Sequence, residues 1–374
     1  FGQFGNCRAM YRTEPTRDYA VRVMLPSPFP GRAHSVPAWA VRGWTTKAGN
    51  SSAKHPKLLA ATWANSSLDA DADELKDTRN AQLTTFVSSL MVLDAVERLG
   101  IEPTYCAGHS LGEYTALTAT GALGFDDGVR LVSERSAAMH DAGLASPGTM
   151  AAVLGLDDED VEVACRRADT DVWVANFNAP GQVVIAGSPD GVTKAGEHAK
   201  ELGAKRVMPL AVSGAFHTPF MTSARDRLRD AIATARPRDT EVPVVSNVDA
   251  RAHATGEEWA SLLSAQLSSP VRWKHVLLEL SQLGITGFIE LGPGGVLTGM
   301  VKRTIEDSRH ISVATPDDLD KLIDWLDTFD HAATIPETAR HESEHLFAVE
   351  RLVVSPGAGV FTRRADLANQ TIVD

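Results

Sequence analysis

Fifty consecutive residues, 19–68, contain no aspartate or glutamate, although acids occupy 48 of the 374 positions of this chain. The same stretch holds Trp39, Trp44 and Trp63, three of the seven tryptophans. The simplest account is a basic, exposed segment; a second is given below. Cysteine is scarce. Cys7, Cys106 and Cys165 show neither disulfide nor metal-ligand spacing, so no staple or metal site is expected, and a reducing cytoplasm is the expected setting. There is no apolar run of about 18 residues, which excludes a membrane-spanning helix and any membrane partner. The N-terminus lacks the basic-then-apolar layout of a secretory signal. It begins at Phe1, so the true start is expected upstream. Net basic charge is also lacking: 36 basic against 48 acidic residues give −12. With no dense basic patch, nucleic acid is not an expected partner.

What is present is ordinary globular composition, 43% hydrophobic and 22% charged, which excludes a disordered chain, a collagen or a rod. Apolar spacing predicts a helix over 71–99, with Phe86, Leu90, Val92, Leu93 and Val96 on one stripe. A short strand over 102–107 leads into a glycine-flanked turn and a helix over 111–120. Another helix covers 125–142, with Gly143 as its stop. Residues 150–154, 158–168, 172–175, 182–186, 189–202 and 205–210 then read β, α, β, β, α, β. That order predicts a ferredoxin-like unit inserted over 145–212. Helices over 219–235, 257–266 and 273–283 follow, with strands at 242–246 and 287–291 and a helix from about Val296. The expected fold class is α/β, a hydrolase-like parallel-sheet core with an inserted ferredoxin-like α+β subdomain. Four regions are expected: an atypical segment 1–68, a catalytic part of 69–144 with 213–327, the insert 145–212, and an unassigned tail 328–374.

Gly108-His109-Ser110-Leu111-Gly112 is a G-x-S-x-G sequence between a strand and a helix, the context in which such a serine is a nucleophile. The glycines permit a sharp turn, and the helix start offers N–H groups to an oxyanion. The serine needs a base. His109, beside it, is expected to point away and pack the turn. His217 stands where the inserted unit returns to the main body, which favours a functional role. The other histidines read as surface residues.

Gly108–Gly112 followed by Glu113-Tyr114 resembles the nucleophile motif of malonyl-CoA:acyl carrier protein transacylases. So do Val129-Arg130-Leu131-Val132-Ser133-Glu134-Arg135, the run from Asn176 to Gly187, and Gly214-Ala215-Phe216-His217. Pro243-Val244-Val245-Ser246-Asn247, Ser269-Pro270-Val271-Arg272-Trp273 and Glu290-Leu291-Gly292-Pro293-Gly294 match in family order. The similarity spans about 69–327.

The resemblance implies malonyl transfer from malonyl-CoA to the phosphopantetheine thiol of an acyl carrier protein, for fatty acid or polyketide synthesis. It implies Ser110 as the acyl carrier and His217 as base and then acid, oriented by the Gln266 backbone carbonyl. Arg135 would grip the malonyl carboxylate, a task suited to its planar fork. Arg130, with Glu134 four residues on, reads as a solvated helix charge. Phe216 matches the bulky residue that favours malonyl over methylmalonyl. Asn178 and Gln182 are pocket candidates. Leu111 and the residue at 32 would give oxyanion N–H groups. No cofactor is implied, and the chain is expected to be monomeric. Arg272, Lys274, Lys302 and Arg303 are candidates for docking an acidic carrier protein. A serine esterase or thioesterase uses the same motif, and an impaired carrier-binding homologue is a further alternative.

The chain departs from the family after Phe29-Pro30-Gly31. Where the family reads Gln-Gly-Ala/Ser-Gln, this chain reads Arg32-Ala33-His34-Ser35. A single deleted base accounts for it. GGC CAG GGC GCA CAG without one C becomes GGC AGG GCG CAC AG, which encodes Gly-Arg-Ala-His and begins a serine codon. Out-of-frame reading of GC-rich DNA also accounts for the missing acids, with a compensating shift before Asp69. A chain made as written would lose the loop around one oxyanion donor, a loss worth about 100- to 1000-fold in rate. Sequencing the coding DNA across codons 25–70 is expected to reveal the glutamine-rich motif in the shifted frame. Codons that cannot be reframed so would refute the idea.

Overall fold

A computed structural model of the chain describes residues 21–25, 78–212 and 214–330. Two compact units divide the chain, Phe1–Trp325 and Leu326–Asp374. Of the second, only the end of one helix is described. The atypical segment beyond its strand, the suspected frame break at Arg32, and the tail from residue 331 lie outside the described residues.

The first unit holds two sheets. The larger has six strands: β1 (Val21–Leu25), β2 (Tyr105–Gly108), β7 (Val244–Val245), β8 (Ala252–His253), β9 (Gly287–Leu291) and β10 (Arg309–Val313). Their order is β10-β9-β1-β2-β7-β8, parallel throughout except for the antiparallel β7–β8 pair. Strand β1 lies in the middle, with Leu25 opposite Gly108. The carboxyl end of β1 therefore lies beside the end of β2 that leads into the nucleophile turn, at the edge where open α/β sheets place their ligands.

Around this sheet lie α1 (Thr78–Glu97), α2 (Leu111–Ala119), α3 (Phe125–Ala145), α6 (Thr222–Ala235), α7 (Gly256–Gln266), α8 (Trp273–Gln282) and α9 (Val296–Thr304), and α10 (Asp317–Asp330) follows β10 in the chain. One core joins Trp273, Val276, Leu277 and Leu280 of α8 to Phe288 of β9 and Leu297, Met300 and Val301 of α9. Each large apolar side chain buried there contributes about 2 kcal/mol.

The smaller sheet comes from the expected βαββαβ stretch: β3 (Thr149–Leu154), α4 (Asp158–Arg167), β4 (Val172–Ala179), β5 (Gln182–Gly187), α5 (Pro189–Glu201) and β6 (Arg206–Pro209). Its order is β4-β5-β3-β6, with every neighbouring pair antiparallel. Strand alternation divides its side chains between two faces. Ala151, Val153, Val183 and Ile185 meet α4 and α5, whereas Met150, Ala152, Val184 and Ala186 meet Ala215, with Phe216 packed alongside. Both faces are apolar, and the second borders the segment that carries His217.

Three differences from the sequence reading have local causes. Gly143 does not stop α3, which continues to Ala145 with Gly143 on its buried face. The atypical segment 1–68 contributes strand β1, which its weak periodicity did not mark. Strands β8 and β10 were not expected: the first has two residues, and the second is a half-buried edge strand rich in polar residues.

Gly108 illustrates how tightly the turn after β2 closes. A Cβ there would stand 1.8 Å from the Gly112 carbonyl carbon and 1.9 Å from its oxygen. Gly108→Ala is expected to lower stability by about 3 kcal/mol or prevent folding, because the blocking atoms are backbone. Thermal or urea unfolding checks this, and an unchanged midpoint would contradict it.

Candidate active site

The turn between β2 and α2 carries Ser110 with φ 52° and ψ −103°, an uncommon backbone for a residue with a side chain. The Ser110 side chain does not cap its own helix. Its Oγ instead lies 2.8 Å from His217 Nε2. His217 also has positive φ, 61°. Its Nδ1 lies 3.0 Å from the main-chain oxygen of Gln266. A carbonyl can only accept, so Nδ1 carries the hydrogen and Nε2 presents a lone pair to the serine. The pair can therefore move a proton from Oγ to Nε2.

Arg135 is fully buried yet charged. It occupies the apolar stripe of α3, between Leu131 and Val132 on one side and Ala138 and Met139 on the other. Its guanidinium donates to Ser110 Oγ at 2.9 Å, Gln82 Oε1 at 2.5 Å and Gln266 Oε1 at 3.3 Å. It also lies 5.3 Å from the Tyr114 ring centroid. All of these hydrogen-bond partners are neutral. A buried guanidinium without a directly paired anion is costly, which suits a site that receives one. Arg130 is exposed and pairs with Asp127, whereas Glu134 pairs with Arg227, so the expected Arg130–Glu134 contact is replaced.

Three residues of the cluster were missed from the sequence. Gln82 braces Arg135. Asn247 accepts the Ser110 N–H at 2.6 Å through Oδ1 and donates to the Gly108 carbonyl at 2.7 Å. Glu113 accepts from the Asn247 N–H at 2.6 Å and from Gln266 Nε2 at 2.5 Å. Asn247 and Glu113 lie within motifs already quoted for the resemblance, but those motifs gave them no task. Gln82 stands among polar residues of α1 without a spacing that marks it.

The remaining candidates divide. Leu111 opens α2, so its N–H heads the helix beside Ser110. Phe216 is half-buried against the smaller sheet. Asn178 is buried, and its Oδ1 lies 2.9 Å from His109 Nε2. His109 thus does point away from the serine, with its ring also 5.6 Å from that of Trp273. Gln182 begins β5 opposite Leu154 and Ala179, and its buried Oε1 has no hydrogen-bond partner among the described residues. Arg32 lies outside the described residues. Among those residues, no group of three or more metal-ligating side chains assembles, and no helix is long and apolar enough to cross a membrane.

Burial lowers the His217 imidazole to about 3, assisted by the Arg135 charge. It lowers His109 to about 4 against the pull of Asn178. Burial pushes the Glu113 carboxyl up to about 8, while its N–H donors and Arg135 pull it down.

Residues 55–331 match the model of the acyl transferase domain family. The chain belongs to the acyl transferase family. This acyltransferase is 42% identical over 261 residues to a malonyl CoA-acyl carrier protein transacylase of Bacillus subtilis, covering 69% of this chain and 82% of that protein. It resembles the crystal structure of an acyl carrier protein S-malonyltransferase from Vibrio cholerae, with TM-score 0.74 and 33% identity, covering 81% of this chain and 99% of the other. It also resembles a malonyl-transacylase solved in complex with a type II polyketide synthase acyl-carrier protein. There the TM-score is 0.73 and identity 30%, over 80% and 98% of the two chains.

The depressed His217 value sets the acid limb of reactivity. As the base of Ser110, His217 would work neutral, so reactivity would be lost as pH falls through the folded value near 3 rather than through the ordinary value of 6.5. Acylation of Ser110 by an uncharged activated ester is therefore expected to stay nearly constant from neutral pH down to about pH 5. The rate can be followed by intact mass. A midpoint near the ordinary imidazole value would contradict the expectation.

Proposed function

We propose that Ser110, His217 and Arg135 perform malonyl transfer in this acyltransferase, from malonyl-CoA to the phosphopantetheine thiol of an acyl carrier protein. The observation that carries the substrate choice is Arg135, buried beside Ser110, whose hydrogen-bond partners among the described residues are all neutral. A malonyl group brings the matching anion and can accept two parallel hydrogen bonds from the guanidinium.

In the first half-reaction Ser110 Oγ attacks the thioester carbonyl as His217 Nε2 takes its proton. The Leu111 N–H stabilises the oxyanion, and the second donor that the resemblance implies, at Arg32, lies outside the described residues. The C–S bond breaks, and the coenzyme A thiolate leaves with the proton from His217. In the second, His217 takes the proton of the carrier thiol and the thiolate attacks the Ser110 ester. The C–O bond then breaks, and Oγ recovers its proton. The Gln266 carbonyl orients His217 throughout and favours the imidazolium that forms. The thioester is already activated, so this reading calls for no metal or redox cofactor.

Phe216, beside the base, limits the acyl α-carbon. Asn178 and Gln182 complete the pocket wall. The βαββαβ order and antiparallel neighbours of residues 145–212 support reading that insert as a ferredoxin-like subdomain. Lys302 and Arg303, in the last turn of α9, are the better docking candidates for an acidic carrier. Lys274 is engaged with Asp158, and Arg272 lies over the Phe177 ring. Cys106 and Cys165, both buried and outside any disulfide, support a reducing, cytoplasmic setting, and the same reading takes the chain as a monomer.

Mixing the protein with malonyl-CoA is expected to add one malonyl mass, absent in Ser110→Ala. Arg135→Ala should lower kcat/KM for malonyl-CoA by about 100-fold or more, with a much smaller effect on acetyl-CoA. Transfer to an acyl carrier protein completes the test. Hydrolysis with neither adduct nor transfer would identify an esterase instead, and carrier binding without an adduct would identify an impaired homologue.

A further inference from the structure

We propose that Glu113 is a positioning residue of the acyl-transfer site, acting through Gln266 on both His217 and Arg135. The proposal rests on the acyl-transfer reading above and adds a residue to which the sequence comparison gave no role.

Glu113 is fully buried in the first turn of α2. The spelling Ser110-x-x-Glu113 resembles a capping box, in which the glutamate would reach back to the Ser110 N–H. That N–H is taken by Asn247 Oδ1 at 2.6 Å, and the Ser110 side chain makes no cap bond. The carboxyl turns inward instead. Its Oε1 accepts from the Asn247 N–H, and its Oε2 accepts from Gln266 Nε2.

Gln266 has four connections in the site. Its Nε2 donates to Glu113 and, at 2.9 Å, to the Ser110 carbonyl. Its Oε1 accepts from Arg135 at 3.3 Å. Its main-chain oxygen faces His217 Nδ1 at 3.0 Å and also accepts the Ser269 N–H at 3.4 Å. The direction of the amide follows from chemistry. A guanidinium only donates, so Oε1 must face Arg135. Nε2 is then left toward Glu113 and the Ser110 carbonyl, both acceptors.

Glu113 thus fixes the amide from the side opposite Arg135. Removing that acceptor leaves a buried N–H unpaired and frees the amide to turn its nitrogen toward the cation. Gln266 is also the last residue of α7, where a carbonyl has no partner within the helix. Its aim at His217 therefore depends on what holds the residue. The second Glu113 bond holds Asn247, which braces the Ser110 turn.

The test uses the full chain, with Glu113→Gln and Gln266→Met made singly and together. The glutamine sets an amide nitrogen against one of the two donors. The methionine keeps the length and the backbone carbonyl but removes the amide. Malonyl loading of Ser110 is expected to slow about 10- to 100-fold in either variant, carried mainly by kcat, as for a misplaced base. The double variant should be no slower than the slower single one. Nitrogen NMR of labelled histidine should show His217 as a single Nδ1–H tautomer in the parent and a mixture in each variant. This readout needs no transfer activity, so it judges the Glu113 proposal even if the parent fails to load malonyl, a failure that would instead count against the function reading. Loading within twofold of the parent, an unchanged tautomer, or additive effects in the double variant would each overturn the proposal. Should Glu113→Gln not fold, an unchanged tautomer in Gln266→Met overturns it alone.

Discussion

The site depends on the close approach of two backbones at the turn after β2. Gly108 passes so near Gly112 that a Cβ has no room, and this bend forces Ser110 to positive φ. A serine held so stores strain, which persists only where its surroundings over-determine it. Here Asn247 grips the turn on both sides of Ser110, through the serine N–H and the Gly108 carbonyl. Gln266 holds the serine carbonyl. The bend places Oγ between an imidazole lone pair and a guanidinium, so backbone geometry is converted directly into chemical reactivity.

Around this turn, charge is managed by burial. His217 is kept neutral and, among the described residues, Arg135 hydrogen-bonds to no carboxylate, so the site sets a cation beside a neutral imidazole. When an acyl carboxylate pairs with Arg135, one of the influences depressing His217 is offset. The imidazole then becomes a better proton acceptor when a substrate is present. In the proposed malonyl transfer, selection of the acyl group and tuning of the base would thus share one side chain.

Much of this was legible in the sequence. The βαββαβ order marked the smaller sheet, and the strand–turn–helix setting marked Ser110. Arg135 was named only through the family resemblance, since its place in a charged helix reads equally as a solvated cation. Glu113 was harder to place, since a Ser-x-x-Glu spacing has an ordinary explanation in helix capping, and only the structure shows that neither residue caps. Gln82 and Asn247 act through contacts that no spacing encodes. The last turn of α3 was missed because Gly143 resembles a stop until its buried position is seen. Strand β10 was missed because an edge strand need not alternate strongly.

The chain order of the site has a consequence for folding. The bonds that hold Ser110 in place reach across 107 residues to His217, 137 to Asn247 and 156 to Gln266. Contacts so distant along the chain bear a large loop-closure cost and form late. On a ribosome, the nucleophile turn emerges well before any residue that braces it. The bend at Ser110 therefore has to wait for α7, and reactivity should appear with the final docking of that helix rather than with the sheet.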